Sequence, residues 1–204
     1  MSIIPLRKKR ILIGIPSMDM VHADFAMSLG VIMYHAASLK GYEVSIINQK
    51  TSIIQKGRHD LIDLAFQVEA DKVLFLDSDM IFPYNVVEVL ASAKKDIIGC
   101  NYCTRTEPSM PTCRDKDRRL IGFKRLEGIS EVGYIATGCL LIDLEVFKRI
   151  GKPYFTVKWN EDKQWFQGED YCFSEQAREA GYEIYCDHDL SRSVQHIAAL
   201  KKSL

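Results

Sequence analysis

Lys72-Val73-Leu74-Phe75-Leu76-Asp77-Ser78-Asp79 (KVLFLDSD) joins an unbroken apolar run to a pair of acids. A short apolar run bounded by polar residues reads as a strand buried on both faces, as in a parallel sheet covered by helices. Upstream, Leu61, Leu64, Ala65 and Val68 recur at i, i+3, i+4 and i+7, which predicts a helix from about His59 to Glu69. Before it the pattern gives a strand at Tyr42 to Ile47 and a helix from Ala23 to Leu39 stopped by Gly41. The first strand is Arg10 to Pro16 (RILIGIP). Downstream come a helix at Asn85 to Ala93 and a strand at Asp96 to Cys100. Strands alternating with helices predict an α/β layer architecture around a mainly parallel sheet.

The second half is less regular. Leu120 to Arg125, Glu131 to Ala136 and Gly138 to Ile142 read as strands, followed by a helix from Leu144 to Ile150 that ends at Gly151. An aromatic loop spans Tyr154 to Phe166. Glu169 to Ala180 reads as a helix closed by Gly181, and Glu183 to Cys186 as a last strand. These pieces are expected to extend the same sheet.

Composition narrows the function. A chain of 204 residues suits one domain, and its 27 basic and 27 acidic residues cancel. No nucleic-acid partner is expected, because such binding draws on an excess of cations against phosphate. The basic stretch Arg114 to Arg119 is interrupted by Asp115 and Asp117 and reads as a solvated loop. No apolar run reaches the roughly 20 residues of a membrane span. Arg7 to Arg10 precede an apolar segment too short for a secretory signal, so a cytoplasmic protein is expected. Cys100-x-x-Cys103 lacks a second such pair, so free thiols are expected in place of a zinc site.

The chemistry starts at Asp77 and Asp79. In an extended segment residues i and i+2 project to one side, so both carboxylates face one pocket at the carboxyl end of a strand. Adjacent negative charges call for a cation, and Mg²⁺ or Mn²⁺ shared with substrate phosphates is the expected arrangement. The alternative is that both acids cap a turn before Met80 to Pro83.

Val73-Leu74-Phe75-Leu76-Asp77-Ser78-Asp79-Met80 resembles the Asp-x-Asp region of glycosyltransferases with the A-type fold, especially the inverting family 2 group. The resemblance implies a single Rossmann-like three-layer αβα domain over residues 1–204 with a mixed, mainly parallel sheet. Its donor-binding half would be about 1–100 and its acceptor and catalytic half about 101–196. It implies a nucleotide-sugar donor, a UDP-sugar by preference, and a divalent cofactor, Mn²⁺ before Mg²⁺. Asp79 would bind the metal, and Asp77 would contact the donor or reach the metal through water. Pro16 and Ser17 would form the nucleobase turn. Arg58 would face the nucleotide, where its planar fork suits phosphate oxygens, unless it is a surface arginine.

Glu169 and Asp170 open a helix, where acids complement the dipole in any case. By resemblance Asp170 is the catalytic base and Glu169 orients acceptor or sugar. His196 would complete the metal shell, and is preferred to His188 because Val194-Gln195-His196 looks like a strand end while Asp187-His188-Asp189 looks like a turn. Trp165, with Trp159 and Phe166, would offer rings to an acceptor or pack in the core. Gly138 would let backbone approach the donor sugar or mark a bend in a strand. The chain lacks the Gln-x-x-Arg-Trp motif of processive members, so transfer of a single sugar is expected. Two alternatives are a sugar-phosphate nucleotidyltransferase and a catalytically silent nucleotide-sugar-binding module. A haloacid-dehalogenase-like phosphatase is disfavoured by Met80, where such enzymes carry Thr or Val.

Overall fold

The computed structural model describes residues 7–123, 126–162 and 164–197. In chain order its first half runs β1 (Lys9–Ser17), α1 (Ala23–Ala36), β2 (Tyr42–Lys50), α2 (Ile54–Gln67), β3 (Lys72–Leu76), β4 (Met80–Ile81), α3 (Val86–Ser92) and β5 (Ile97–Gly99). The second half adds β6 (Ile129–Val132), β7 (Cys139–Asp143), α4 (Leu144–Ile150), β8 (Lys158–Asn160), β9 (Trp165–Gln167), α5 (Glu169–Glu179), β10 (Ile184–Asp187), α6 (His188–Ser191) and β11 (Gln195–His196).

The central sheet has the order β2-β1-β3-β7-β5-β10-β6. Strands β2, β1, β3, β5 and β10 run one way, while β7 and β6 oppose them. The sheet is therefore mixed and mostly parallel. Strand β7 slots between β3 and β5 and pairs antiparallel with both. Its amino end, at Thr137 and Gly138, thus lies along the same sheet edge as the carboxyl ends of β1, β3 and β5.

Side-chain alternation splits the core into two layers. Ile11, Ile13, Ile15, Leu74 and Leu76 pack with Phe25 and Ile32 of α1 and Val86, Val87 and Leu90 of α3. Leu12, Val73 and Phe75 pack on the other face with Leu61, Ile62 and Ala65 of α2, Phe147 of α4 and Phe173 of α5. The strands are apolar on both faces because helices cover both. Phe173 stacks on Phe155 with ring centroids 5.2 Å apart and meets Phe147 at 5.7 Å, which seats α5 on the sheet.

Several boundaries differ from the sequence expectation. Helix α2 begins five residues before His59, at Ile54, and turns Leu61, Ile62 and Ala65 inward while Val68 is exposed. In that first turn a Cβ on Gly57 would meet Thr51 Cγ2 at 2.6 Å, so glycine there permits a close approach to Thr51. Leu120 to Arg125 forms no strand in its described part. Leu120 makes a lone bridge to Arg114, and residues 124 and 125 lie outside the described residues. The predicted strand Glu131 to Ala136 shifts to β6 because at Gly133 and Tyr134 both amides turn to the Arg114 carbonyl. Arg114 consequently belongs to this irregular sheet edge and is half-buried, not part of a solvated loop. The aromatic loop contains the β8–β9 hairpin. Asp187-His188-Asp189 is the end of β10 and the start of α6, with the Asp187 carboxylate accepting from the Leu190 amide.

All six cysteines are free, five of them buried and Cys103 half-buried. Among the described residues no helix is long and apolar enough to cross a membrane.

Replacing Phe173 by Ala should cost about 3–5 kcal/mol, the usual range for deleting a buried aromatic ring. Urea unfolding measures it, and a loss under 1 kcal/mol would show that α5 is held by other contacts.

Candidate functional site

At the sheet edge where β1, β3 and β5 end, a cavity of about 710 Å³ opens. Its walls include Pro16 and Ser17 from β1, Arg58 from α2, the Asp77-Ser78-Asp79 turn after β3, Glu169 and Asp170 from α5, and His196 from β11. This is the crevice position that ligands take in open α/β sheets, and the volume suits a small organic ligand. Ser17 is fixed by Asn48, whose Nδ2 donates to the Ser17 hydroxyl at 2.7 Å.

Arg58 is the hub. It lies on the inner stripe of α2 with Leu61, Ile62 and Ala65, one turn upstream, and is only 3% exposed. Its guanidinium donates to Asp77 Oδ1 at 3.0 Å and to Glu169 Oε1 at 2.5 Å, and sits 3.5 Å from Asp170 Oδ1. Burial alone would push the Arg58 pKa down, but Asp77, Asp170 and Glu169 together hold it above its ordinary value. Arg58 is thus neither a surface arginine nor a free cation. It binds carboxylates brought from β3 and α5.

Thr137 donates its hydroxyl to Asp170 Oδ1 at 2.6 Å. Burial lifts the Asp170 carboxyl to about 6, and Glu169 and Asp77 add to the rise while Arg58 and Thr137 oppose it. Tyr102, from the segment after β5, accepts the Gly138 amide on its phenolic oxygen at 2.8 Å. The Gly138 carbonyl in turn accepts the Asp77 amide at 3.0 Å. A Cβ on Gly138 would collide with the Tyr102 hydroxyl and meet Asp77 Oδ2 at 2.8 Å and Met80 Sδ at 2.9 Å. Gly138 therefore lets its backbone lie directly against the acidic turn.

Asp79 points to the same cavity but carries Arg105, whose guanidinium is 2.6 Å from Oδ2. Strand β11 pairs His196 with Met80, and the Ile197 amide donates to the Asp79 carbonyl at 3.0 Å. His196 Nδ1 donates to the Cys103 carbonyl at 2.5 Å, so in the neutral ring Nε2 keeps the lone pair. A carbonyl on the far nitrogen is the usual support of a metal-binding histidine. The donor types, two carboxylates and an imidazole, suit Mn²⁺ or Mg²⁺. Among the described residues, however, no three His, Cys, Asp or Glu side chains converge tightly enough to enclose an ion. Protein groups and substrate phosphates would have to share it, with Arg105 giving way at Asp79.

The cavity thus gathers nine of the residues singled out in the sequence, counting Gly138 through its contact with Asp77. Trp165, like Trp159 and Phe166, is not among them. It stands on the β8–β9 hairpin, 42% exposed, in a T-shaped contact with Tyr171 with ring centroids 6.3 Å apart, and it does not line the cavity. The alternation of the hairpin turns it to α5 and leaves Trp159 and Phe166, 4.9 Å apart, on the other face. Tyr102, Arg105 and Thr137 were not anticipated, since no local pattern marks them.

No protein-family model matches the chain, and no curated protein matches its sequence. Solved structures do match its shape. A197 from STIV superposes with a TM-score of 0.58 at 18% identity, over 87% of this chain and 81% of that one. The catalytic domain of Drosophila beta1,4-galactosyltransferase 7, in complex with xylobiose, gives a TM-score of 0.52 at 16% identity, over 93% and 71%. A mutant of that enzyme in complex with manganese, UDP-Gal and xylobiose matches equally. The fold is the glycosyltransferase A type. Nothing in these matches singles out family 2.

Two outcomes follow for the acidic cluster. Arg58→Met should destabilise the protein at neutral pH, by at most about 3–5 kcal/mol, because it leaves three half-buried carboxylates without their cation. Because the folded Asp170 carboxyl titrates near 6, above its unfolded value of roughly 3.9, the folded state holds the extra proton between those values. Its contribution therefore favours folding at low pH and is lost as pH rises through 6. Thermal unfolding of Asp170→Asn from pH 4 to pH 8 should lack this decline, and an unchanged profile would contradict the assignment.

Proposed function

We propose that the protein is a metal-dependent glycosyltransferase that moves one sugar from a nucleotide-diphosphate sugar, a UDP-sugar by preference, onto an acceptor hydroxyl. The observation that carries this reading is the position of Asp170. A carboxyl titrating near 6 shares one cavity with the Asp77–Asp79 turn and is tied to it through Arg58. A general base works best when its pKa lies near the working pH. The glycosyltransferase A fold supports the reading, and the manganese and UDP-Gal bound by the Drosophila neighbour make a sugar donor the natural candidate.

In this mechanism the nucleotide enters beside Pro16 and Ser17 and its diphosphate lies over Asp77 and Asp79. Asp79, His196 and, directly or through water, Asp77 would hold the divalent cation, which when bound supplies positive charge to the departing diphosphate. Asp170 Oδ1 is engaged by Thr137 and Arg58, so Oδ2 is the oxygen offered to the acceptor. It takes the proton from the acceptor hydroxyl as that oxygen bonds to the anomeric carbon. The bond from that carbon to the diphosphate breaks, and its electron pair leaves with the nucleoside diphosphate. Attack opposite the leaving group inverts the centre. Glu169, held by Arg58, orients the sugar.

A catalytically silent nucleotide-sugar-binding module is the second reading, favoured by the Arg105 contact on Asp79. Release of nucleoside diphosphate from a donor panel with Mn²⁺ separates the two. Turnover should rise with pH through about 6, the Asp170 value. It should fall about 100-fold or more in Asp170→Asn, as for loss of a general base, and be lost in Asp79→Ala. Unchanged turnover in both variants would remove the proposed roles, and binding without any release would favour the silent module.

A further inference from the structure

Beyond Asp170 the cavity continues into a smaller pocket of about 230 Å³. Thr104, Thr112, Ala136 and Asp170 line both spaces, so the two share a threshold at the Asp170 carboxyl. The far wall of the smaller pocket is built from Arg114, Tyr134 and Tyr171. The tyrosine rings lie 5.1 Å apart and tilted, and the Arg114 guanidinium is 5.7 Å from the Tyr171 ring centre. Arg114 donates to the Arg118 carbonyl at 3.0 Å, which fixes its direction.

The acids around it are paired elsewhere. Glu175 holds Arg118, Asp117 holds Arg119, and Glu131 holds Lys116. The Asp115 carboxylate accepts the backbone amides of Asp117 and Arg119. A half-buried guanidinium on an aromatic wall, opposite a carboxyl that repels anions, gives the pocket opposite charges at its two ends.

Resting on the glycosyltransferase reading, we infer that the smaller pocket is the acceptor subsite and that it selects an acceptor carrying an acidic group, a carboxylate or a phosphate, which Arg114 binds. The acceptor's reacting hydroxyl then lies at the Asp170 end and its acidic group at the Arg114 end. Tyr134 and Tyr171 supply the ring faces expected against a sugar. The charge polarity fixes the orientation, because the reverse placement sets the acidic group against Asp170.

The test is direct binding, read by calorimetry or ligand-observed NMR. The probes are a hexuronate, a hexose phosphate and an uncharged methyl hexoside, each with Mn²⁺ and UDP present. At least one acidic probe should bind about tenfold tighter than the neutral one, the scale of a charge-assisted hydrogen bond, and comparison of the two acids tells carboxylate from phosphate. Arg114→Gln should erase that preference without altering UDP affinity, while Arg114→Lys should keep part of it. Arg119→Gln, an exposed control, should change nothing. Equal binding of all three probes, no binding of any, or an unaltered preference in Arg114→Gln overturns the inference. Loss of the UDP–Mn²⁺ interaction with the acid preference intact would instead count against the donor reading.

Discussion

A buried guanidinium needs carboxylates, and carboxylates crowded into one half-buried cleft need a cation. Arg58 meets both demands at once, on a helix that reaches the site from the first half of the chain. It draws together Asp77 from the end of β3 and Glu169 and Asp170 from the start of α5. Isolated, each of these acids would lose charge or turn to solvent, since desolvation disfavours the ionised form. Held around one arginine they stay in the cavity at fixed spacing. The antiparallel insertion of β7 completes the arrangement, because it delivers Thr137 to Asp170 and Gly138 to Asp77.

Some elements in both halves were legible because their signals are local. The KVLFL strand is bounded by a lysine on one side and an aspartate on the other, and helix α4 begins and ends where its apolar spacing and Gly151 place it. The insertion of β7 between β3 and β5 could not be read, since pairing partners are set by contacts between strands distant in sequence. The same limit applied to Arg58. Its burial was latent in the spacing to Leu61, Ile62 and Ala65, but its carboxylate partners lie 19 and 111 residues away.

The candidate site was legible as a set of acids and only partly as an arrangement. Asp77, Asp79, Glu169 and Asp170 share the expected cavity, and β11 brings His196 beside Asp79 as its strand-like sequence indicated. Trp165 stands outside the main cavity because a period-two hairpin assigns alternate residues to opposite faces, and the loop sequence did not reveal the hairpin. Arg105 gave no signal at all. It belongs to an irregular segment whose course depends on contacts, such as Thr104 with Met110, that no periodicity encodes.

On the proposed function, Asp79 exchanges Arg105 for a divalent cation when a nucleotide arrives, while Arg58 keeps its carboxylates. A crystal structure of the protein with Mn²⁺ and UDP tests that most directly. The expected result is one ion shared by Asp79, His196 and the diphosphate, Arg105 displaced from Asp79, and Asp170 facing the space beyond the phosphates. A nucleotide bound elsewhere, or bound here with Arg105 still on Asp79 and no ion, would contradict it.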